Sequence, residues 1–163
     1  MARRRPPRLD PALYLGLQRY FLTICTIERT THFVDADPTE RAMGQLLRTS
    51  TDYSFETIAH CFMPDHMHGL FESTREDAEF LKFAAMFKQR STFEFKKVEG
   101  RPLWQEGFYD RILRDEESTL GVAAYIIQNP VRAGLCDDPR AYPFLGSSRY
   151  SITELMEAIA WRP

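Results

Sequence analysis

Along the chain the spacing of apolar positions changes period several times, and each change marks an element. Residues 18–28, QRYFLTICTIE, are rich in aromatic and β-branched types, with Tyr20, Leu22, Ile24 and Thr26 alternating against Phe21, Thr23, Cys25 and Ile27. That alternation predicts a first strand, buried on both faces. After Asp37-Pro38 the apolar residues Ala42, Met43, Leu46 and Leu47 recur three and four apart, which predicts a helix over 39–49. Residues 53–62, YSFETIAHCF, and the later HMHGLFE read as two extended segments joined by a tight turn at Pro64-Asp65. Phe80, Phe83, Ala84, Phe87 and Phe95 fit a long amphipathic helix from Glu76 to about Lys97, stopped by Glu99-Gly100-Arg101-Pro102. Residues 103–114 read as a strand or hairpin with a bulge at Gly107. Asp115 can cap a helix running to about Asn129, where Pro130 follows, and a last helix spans roughly 151–161. The order βαββαβ followed by helices predicts an α+β fold, a ferredoxin-like sandwich: an antiparallel sheet with helices on one face, plus C-terminal helices.

Composition narrows the class without changing that picture. With 163 residues, 44% hydrophobic and 13% aromatic, the chain can build one core. We therefore expect a single domain over 18–163, preceded by a basic arm over 1–17. Cys25, Cys61 and Cys136 are an odd, widely spaced set, which suggests neither a disulfide framework nor a cysteine-rich zinc site and fits a reducing cytoplasm. No apolar run approaches the ~20 residues of a spanning helix, so no membrane partner is expected. A formal charge of −2 does not announce a nucleic-acid binder. The charge is uneven, however. Arg3, Arg4, Arg5 and Arg8 crowd the start, and Lys82, Lys88, Arg90, Lys96, Lys97 and Arg101 dominate a second stretch, most of it in the helix that ends near Lys97. Such patches can hold phosphates whatever the total charge.

The candidate chemistry begins with His66 and His68. On a strand, residues two apart point to the same face, so both imidazoles would share a side while Met67 enters the opposite layer. Two neutral imidazoles side by side can ligate one divalent metal. Alone, a His-x-His pair is also what two ordinary polar residues beside a turn look like. The surrounding strings are more specific: MPDHMHGLFE, LWQEGFYDRIL, AAYIIQNPVRAGL and AYPFLGSSRY, opened by QRYFLTICTIERTTHF. In this order and spacing they resemble the REP-associated tyrosine transposases, a branch of the single-tyrosine HUH transposases of the IS200-like kind. The resemblance runs from about Gln18 to Tyr150.

Carried over residue by residue, the resemblance makes His66 and His68 the metal-binding pair, Tyr125 the nucleophile and Asn129 the third, amide-bearing ligand. Spacing agrees for the last two, since residues four apart lie on one helical face. An apolar stripe of Leu120, Ala123, Ala124 and Ile127 is expected on the opposite side. Two positions depart from the family pattern: Asp65 stands where asparagine is common, and Ile127 where histidine is frequent. Asp65 reads first as a turn residue, and second as an acceptor for a histidine N–H. His60 reads as a structural histidine, and His32 has no constellation around it. The resemblance further implies magnesium or manganese as cofactor, and single-stranded or hairpin DNA of REP-like palindromic type as partner. Arg3, Arg4, Arg5, Arg8, Lys88 and Arg90 would contact that DNA, and Trp104, Phe108 and Tyr109 are possible stacking groups for unpaired bases. It leaves open whether the chain acts as a monomer or homodimer. Tyrosine attack on a phosphodiester would give a phosphotyrosine that a later hydroxyl can reverse, which is strand transfer rather than hydrolysis. Two other readings stay in view. One is an RNA- or DNA-binding module without catalysis, the other a metal-dependent hydrolase that activates water.

Overall fold

The sheet is the frame on which everything else is placed. The computed structural model describes residues 17–160. In chain order these form β1 (Arg19–Cys25), short 3-10 turns at Ile27–Arg29 and His32–Val34, α1 (Ala36–Asp52), β2 (Phe55–Met63), β3 (His66–Ser73), α2 (Phe80–Glu99), β4 (Tyr109–Leu113), α3 (Glu116–Arg132), a 3-10 turn at Pro139–Ala141, β5 (Leu145–Gly146) and α4 (Ile152–Ala158). The strands pair antiparallel in the order β4-β1-β3-β2-β5. The first four reproduce the expected ferredoxin-like order, and β5 is an added edge. The basic arm and its Arg3, Arg4, Arg5 and Arg8 lie outside the described residues. Among the described residues no helix is long and apolar enough to cross a membrane.

The two faces of the sheet are built differently. On one, Tyr20, Leu22 and Ile24 of β1 lie in register with Phe71, Gly69 and Met67 of β3. Tyr20 stacks on Phe80 of α2 at 4.2 Å, and Phe71 meets Phe83 edge-on at 4.9 Å. Helices α1 and α2 close this face over a fully buried core. Gly69 is needed here because a Cβ would lie 2.4 Å from the Phe71 ring, which folds back across it. The other face carries Arg19, Phe21, Thr23 and Cys25 against Glu72, Leu70, His68 and His66, and α3 crosses it. Cover there is partial. β1 is thus buried on one face and half-buried on the other, not buried on both as its composition suggested.

Helix ends follow local chemistry. α1 starts three residues before the expected 39, because Pro38 fits a first turn that has no N–H to lose, and Thr39 Oγ1 donates back to Asp35 O at 2.7 Å. α2 stops at Gly100, whose φ of 67° is open to glycine at little cost. Asp115 caps α3 as expected, accepting from Ser118 N at 2.6 Å. α3 does not end at Asn129, however; it passes through Pro130 to Arg132. It closes with Gly134 N donating to Val131 O and Leu135 N to Pro130 O, the paired bonds of a Schellman stop. Gly107 forms a bend before β4 rather than a bulge, with Trp104 bridging separately to Thr26.

Candidate active site

β3 presents the histidines and β1 fixes the turn before them. Thr26 N donates to Asp65 O at 3.0 Å and Phe33 N to Pro64 O at 3.0 Å, so the Pro64-Asp65 turn is tied to the chain after β1. His66 and His68 then point to the half-covered face while Met67 is fully buried on the other, as period two requires. Their Nε2 atoms face each other at 3.1 Å. Each outer nitrogen has its own partner. His66 Nδ1 lies 2.6 Å from Asp65 Oδ1, and His68 Nδ1 lies 2.7 Å from Thr23 Oγ1. A carboxylate can only accept, so His66 carries its proton on Nδ1 and turns the Nε2 lone pair inward. Burial pushes the His68 imidazole down to about 3, helped by positive charges around it that include Arg132 and Arg29. It is therefore neutral at physiological pH.

Asp65 is more than a turn residue. Its second oxygen accepts from Arg29 Nε at 2.8 Å, and Arg29 Nη1 donates to Cys25 Sγ at 2.8 Å. Glu28 and Arg29 both have positive φ, 53° and 57°, a conformation that costs non-glycine residues of order 1–2 kcal/mol. These contacts hold the carboxylate against His66 and lower its pKa through the hydrogen bonds of His66 and Arg29, despite burial acting the other way.

Helix α3 brings the tyrosine. Arg19 Nη1 reaches Thr119 Oγ1 at 3.4 Å near the helix start. Two turns on, the Tyr125 ring meets His68 at 5.2 Å and Phe21 at 6.0 Å, both edge-on, and stays 42% exposed. Asn129 follows one turn further along the same helical stripe. Its Nδ2 is buried with no hydrogen-bond partner among the described residues. The helix buries Val122, Ala123, Ile126, Ile127 and Pro130, so the apolar stripe is rotated from the expected one: Leu120 is exposed and Ala124 only half-buried. The rotation aims Tyr125 along the sheet surface toward His68 rather than straight out to solvent. Ile127 is fully buried in the core.

Among the described residues no cluster of three His, Cys, Asp or Glu side chains is arranged to hold a metal ion.

Other candidates fall elsewhere. Lys88 donates to the carbonyls of Gln105 and Gly107 at 2.8 and 2.9 Å, and Arg90 pairs with Asp52 at 2.7 Å. Both sit on α2, across the sheet from the histidines. Trp104 is a core residue, with Nε1 donating to Ser91 Oγ at 2.8 Å, and is not available for base stacking. Phe108 is half-buried, its ring 5.9 Å from Lys88 Nζ. Tyr109 is 48% exposed, with its ring 6.0 Å from Phe21. His60 is buried on the α1/α2 face, pushed down to about 4 by desolvation, with Nδ1 unpartnered among the described residues. It is structural without being hydrogen-bonded through that atom. Arg29, Thr23 and Arg132 were not singled out from sequence. For Arg132 a signal existed: it stands seven residues after Tyr125, on the same stripe as Asn129.

A ferredoxin-like sheet with a histidine pair on its open face and a helical tyrosine against it is the arrangement whose class the family comparison identifies. The chain belongs to the IS200-like transposases: the model of that family, "Transposase IS200 like", matches residues 16–129. Its members are DNA strand transferases. A Haemophilus influenzae protein carrying the provisional name REP-associated tyrosine transposase is 26% identical over 136 residues, covering 77% of each chain. A solved REP-associated tyrosine transposase bound to a REP hairpin superposes with a TM-score of 0.73 at 20% identity, over 86% of this chain and 81% of that one. A provisionally assigned transposase from Deinococcus radiodurans superposes at 0.53 with 21% identity, over 75% and 95%.

Proposed function

We propose that this chain breaks and rejoins single-stranded DNA through a covalent phosphotyrosine on Tyr125, with His66, His68 and Asn129 holding a magnesium or manganese ion. The convergent Nε2 pair beside an exposed tyrosine carries the reading. Two ligand atoms at right angles about an ion with bonds of about 2.1 Å stand roughly 3 Å apart, close to the observed 3.1 Å. The unpartnered amide of Asn129 supplies a third donor by presenting its oxygen instead. When bound, such an ion offsets charge on the phosphoryl oxygens.

The protein's own groups do the rest. Asp65 and Thr23 fix the ring orientations of His66 and His68. His68 and Phe21 hold the Tyr125 ring edge-on over the sheet. The phenol oxygen forms a bond to phosphorus as the bond to the 3′ oxygen breaks. Solvent, which reaches the exposed ring, takes the phenol proton and returns one to the leaving oxygen. The product is a phosphotyrosine and a free 3′-hydroxyl, and attack by another hydroxyl reverses the step. The contact of Tyr125 with His68 within one chain supports attack by the tyrosine in its own subunit. The relative solved on a REP hairpin supports a hairpin of that type as the DNA partner here, and a single-stranded foot beside it would supply the strand to be cut.

The test is incubation of the full chain with such an oligonucleotide and magnesium or manganese. A denaturant-resistant protein–DNA adduct is expected from the wild type and none from Tyr125→Phe, while His66→Ala and His68→Ala lose cleavage and keep hairpin binding. If Tyr125→Phe cuts the same site at a similar rate, an activated water is the nucleophile and the hydrolase reading replaces this one. If it still forms the adduct, Tyr109 is the next residue to examine, since it shares the face and lies in register with Thr23.

A further inference from the structure

Arg132 is the residue of the N-P-V-R-A-G-L string for which the site so far has no use. Its guanidinium lies over the Tyr125 ring, 4.5 Å from the centroid, and Nη2 donates to Tyr125 O at 3.1 Å. Seven residues make nearly two helical turns, so Tyr125, Asn129 and Arg132 form one stripe. Pro130 has no N–H to give to Ile126 O, which interrupts the helical ladder along this stretch. The Schellman stop at Gly134 then ends the helix immediately after Arg132.

A basic residue in a last turn commonly serves the helix dipole by facing the final carbonyls. Arg132 instead reaches back almost two turns to the tyrosine. It also differs from the other arginines near the site. Arg29 is committed to Asp65, and Arg19 and Arg149 to Glu72. Arg132 is exposed and, among the described residues, has no carboxylate partner. Most of its five N–H donors stay available in a planar fork that suits a phosphate.

We propose that Arg132 is a phosphate-contacting residue of this site, seating a non-bridging oxygen of the scissile phosphodiester beside the Tyr125 phenol. The phenol oxygen projects from the rim of the ring that the guanidinium covers, so a phosphate bonded to it would lie on the same helical stripe as the free donors. The contact persists in the phosphotyrosine, where the same fork holds the esterified group. This inference rests on Tyr125 as nucleophile, and its test has an arm that does not.

In the first arm the full-length, metal-free chain in chelator is titrated with inorganic phosphate and followed by NMR at the Arg132 Nε–H and the Tyr125 backbone amide. Saturable shifts are expected at both, weakened roughly tenfold or more in Arg132→Met and less in Arg132→Lys. An unchanged response in Arg132→Met, or shifts confined to other regions, overturns the proposal. In the second arm the rate of adduct formation on the foot-plus-hairpin oligonucleotide is measured with manganese. Arg132→Met should slow it by roughly 30-fold or more, with hairpin affinity in a Tyr125→Phe background changed less than about threefold. An adduct rate equal to wild type overturns the contact. Unchanged melting temperatures exclude misfolding, and Arg132→Lys, which keeps the charge, provides the second variant. If phosphate binding depends on Arg132 while no variant or wild type forms an adduct, the seat stands and the strand-transfer reading falls.

Discussion

The two faces of the sheet divide the labour between folding and chemistry. The face under α1 and α2 is a continuous aromatic and aliphatic layer with Tyr20, Phe71, Phe80, Phe83 and Phe87 fully buried. The face under α3 pairs Arg19 with Glu72, Thr23 with His68 and Cys25 with His66, and leaves Tyr125 and Tyr109 open to solvent. The same strands serve both, because successive side chains alternate. A residue's role can thus be read from its parity along β1 and β3.

The largest expected effect breaks the packed face. Phe83→Ala removes a fully buried ring that touches Phe55, Phe71 and Phe80, and should cost about 3–5 kcal/mol in urea denaturation. Tyr125→Phe on the other face should change stability by less than about 0.5 kcal/mol while removing the adduct. A comparable loss of stability in both would mean that the faces are not separable in this way.

Next in size is the response to acid, measured in chelator. His60 titrates near 4 when folded and near 6.5 when unfolded. Above 6.5 it is neutral in both states and contributes nothing. Below 6.5 the unfolded chain takes up a proton that the folded chain refuses, so stability falls as pH drops toward 4 and then levels, by about 3 kcal/mol in all. His68, pushed down to about 3, acts in the same direction from the other face. His60→Leu should therefore remove roughly half of the acid loss. If the pH profile of His60→Leu overlays that of the wild type, His60 is not held neutral by the fold.

How much of this was legible beforehand differs by face as well. The packed face was legible because its cause is local: alternation in β1 and three-four spacing in α1 and α2 record burial directly. β5 was not, since two residues carry no period, and its Gly146 matters only through His60, a neighbour distant in sequence. On the open face the pair His66 and His68 was visible from parity, and Tyr125 and Asn129 from the family strings. The rotation of α3 was not, because Leu120 and Ala124 fit a helical stripe as well as Val122 and Ile126 do; contact with the sheet decides. Asp65 was underweighted because its partner Arg29 comes from a left-handed turn that no sequence pattern announces.

Gly146→Ala probes that unannounced edge. A Cβ there would lie 2.8 Å from His60 Nε2, too close for a buried ring with little room to retreat. A loss of about 1–3 kcal/mol is expected from thermal or urea unfolding. The double variant with His60→Ala should lose less than the sum of the two single changes, since removing the ring makes room for the methyl. Strict additivity would show that the two residues do not meet.

The smallest effect sharpens the open face. Asp65 accepts from His66 through one oxygen and from Arg29 through the other. Asparagine keeps one acceptor oxygen and loses the charge, so Asp65→Asn can still fix the His66 ring while weakening the tie to Arg29. The ion pair is partly exposed, with Arg29 half open to water, and such pairs are worth under about 1 kcal/mol. Stability should thus barely move. Asp65→Ala removes both acceptors, frees His66 to rotate and leaves Arg29 in its left-handed turn without its carboxylate partner. Manganese affinity, followed by titration calorimetry on the intact chain, should fall about 10–100-fold in the alanine variant and only a few-fold in the asparagine variant. If both variants bind manganese as the wild type does, His66 is oriented by its strand alone, and the Arg29–Asp65 contact serves only the turn that precedes it.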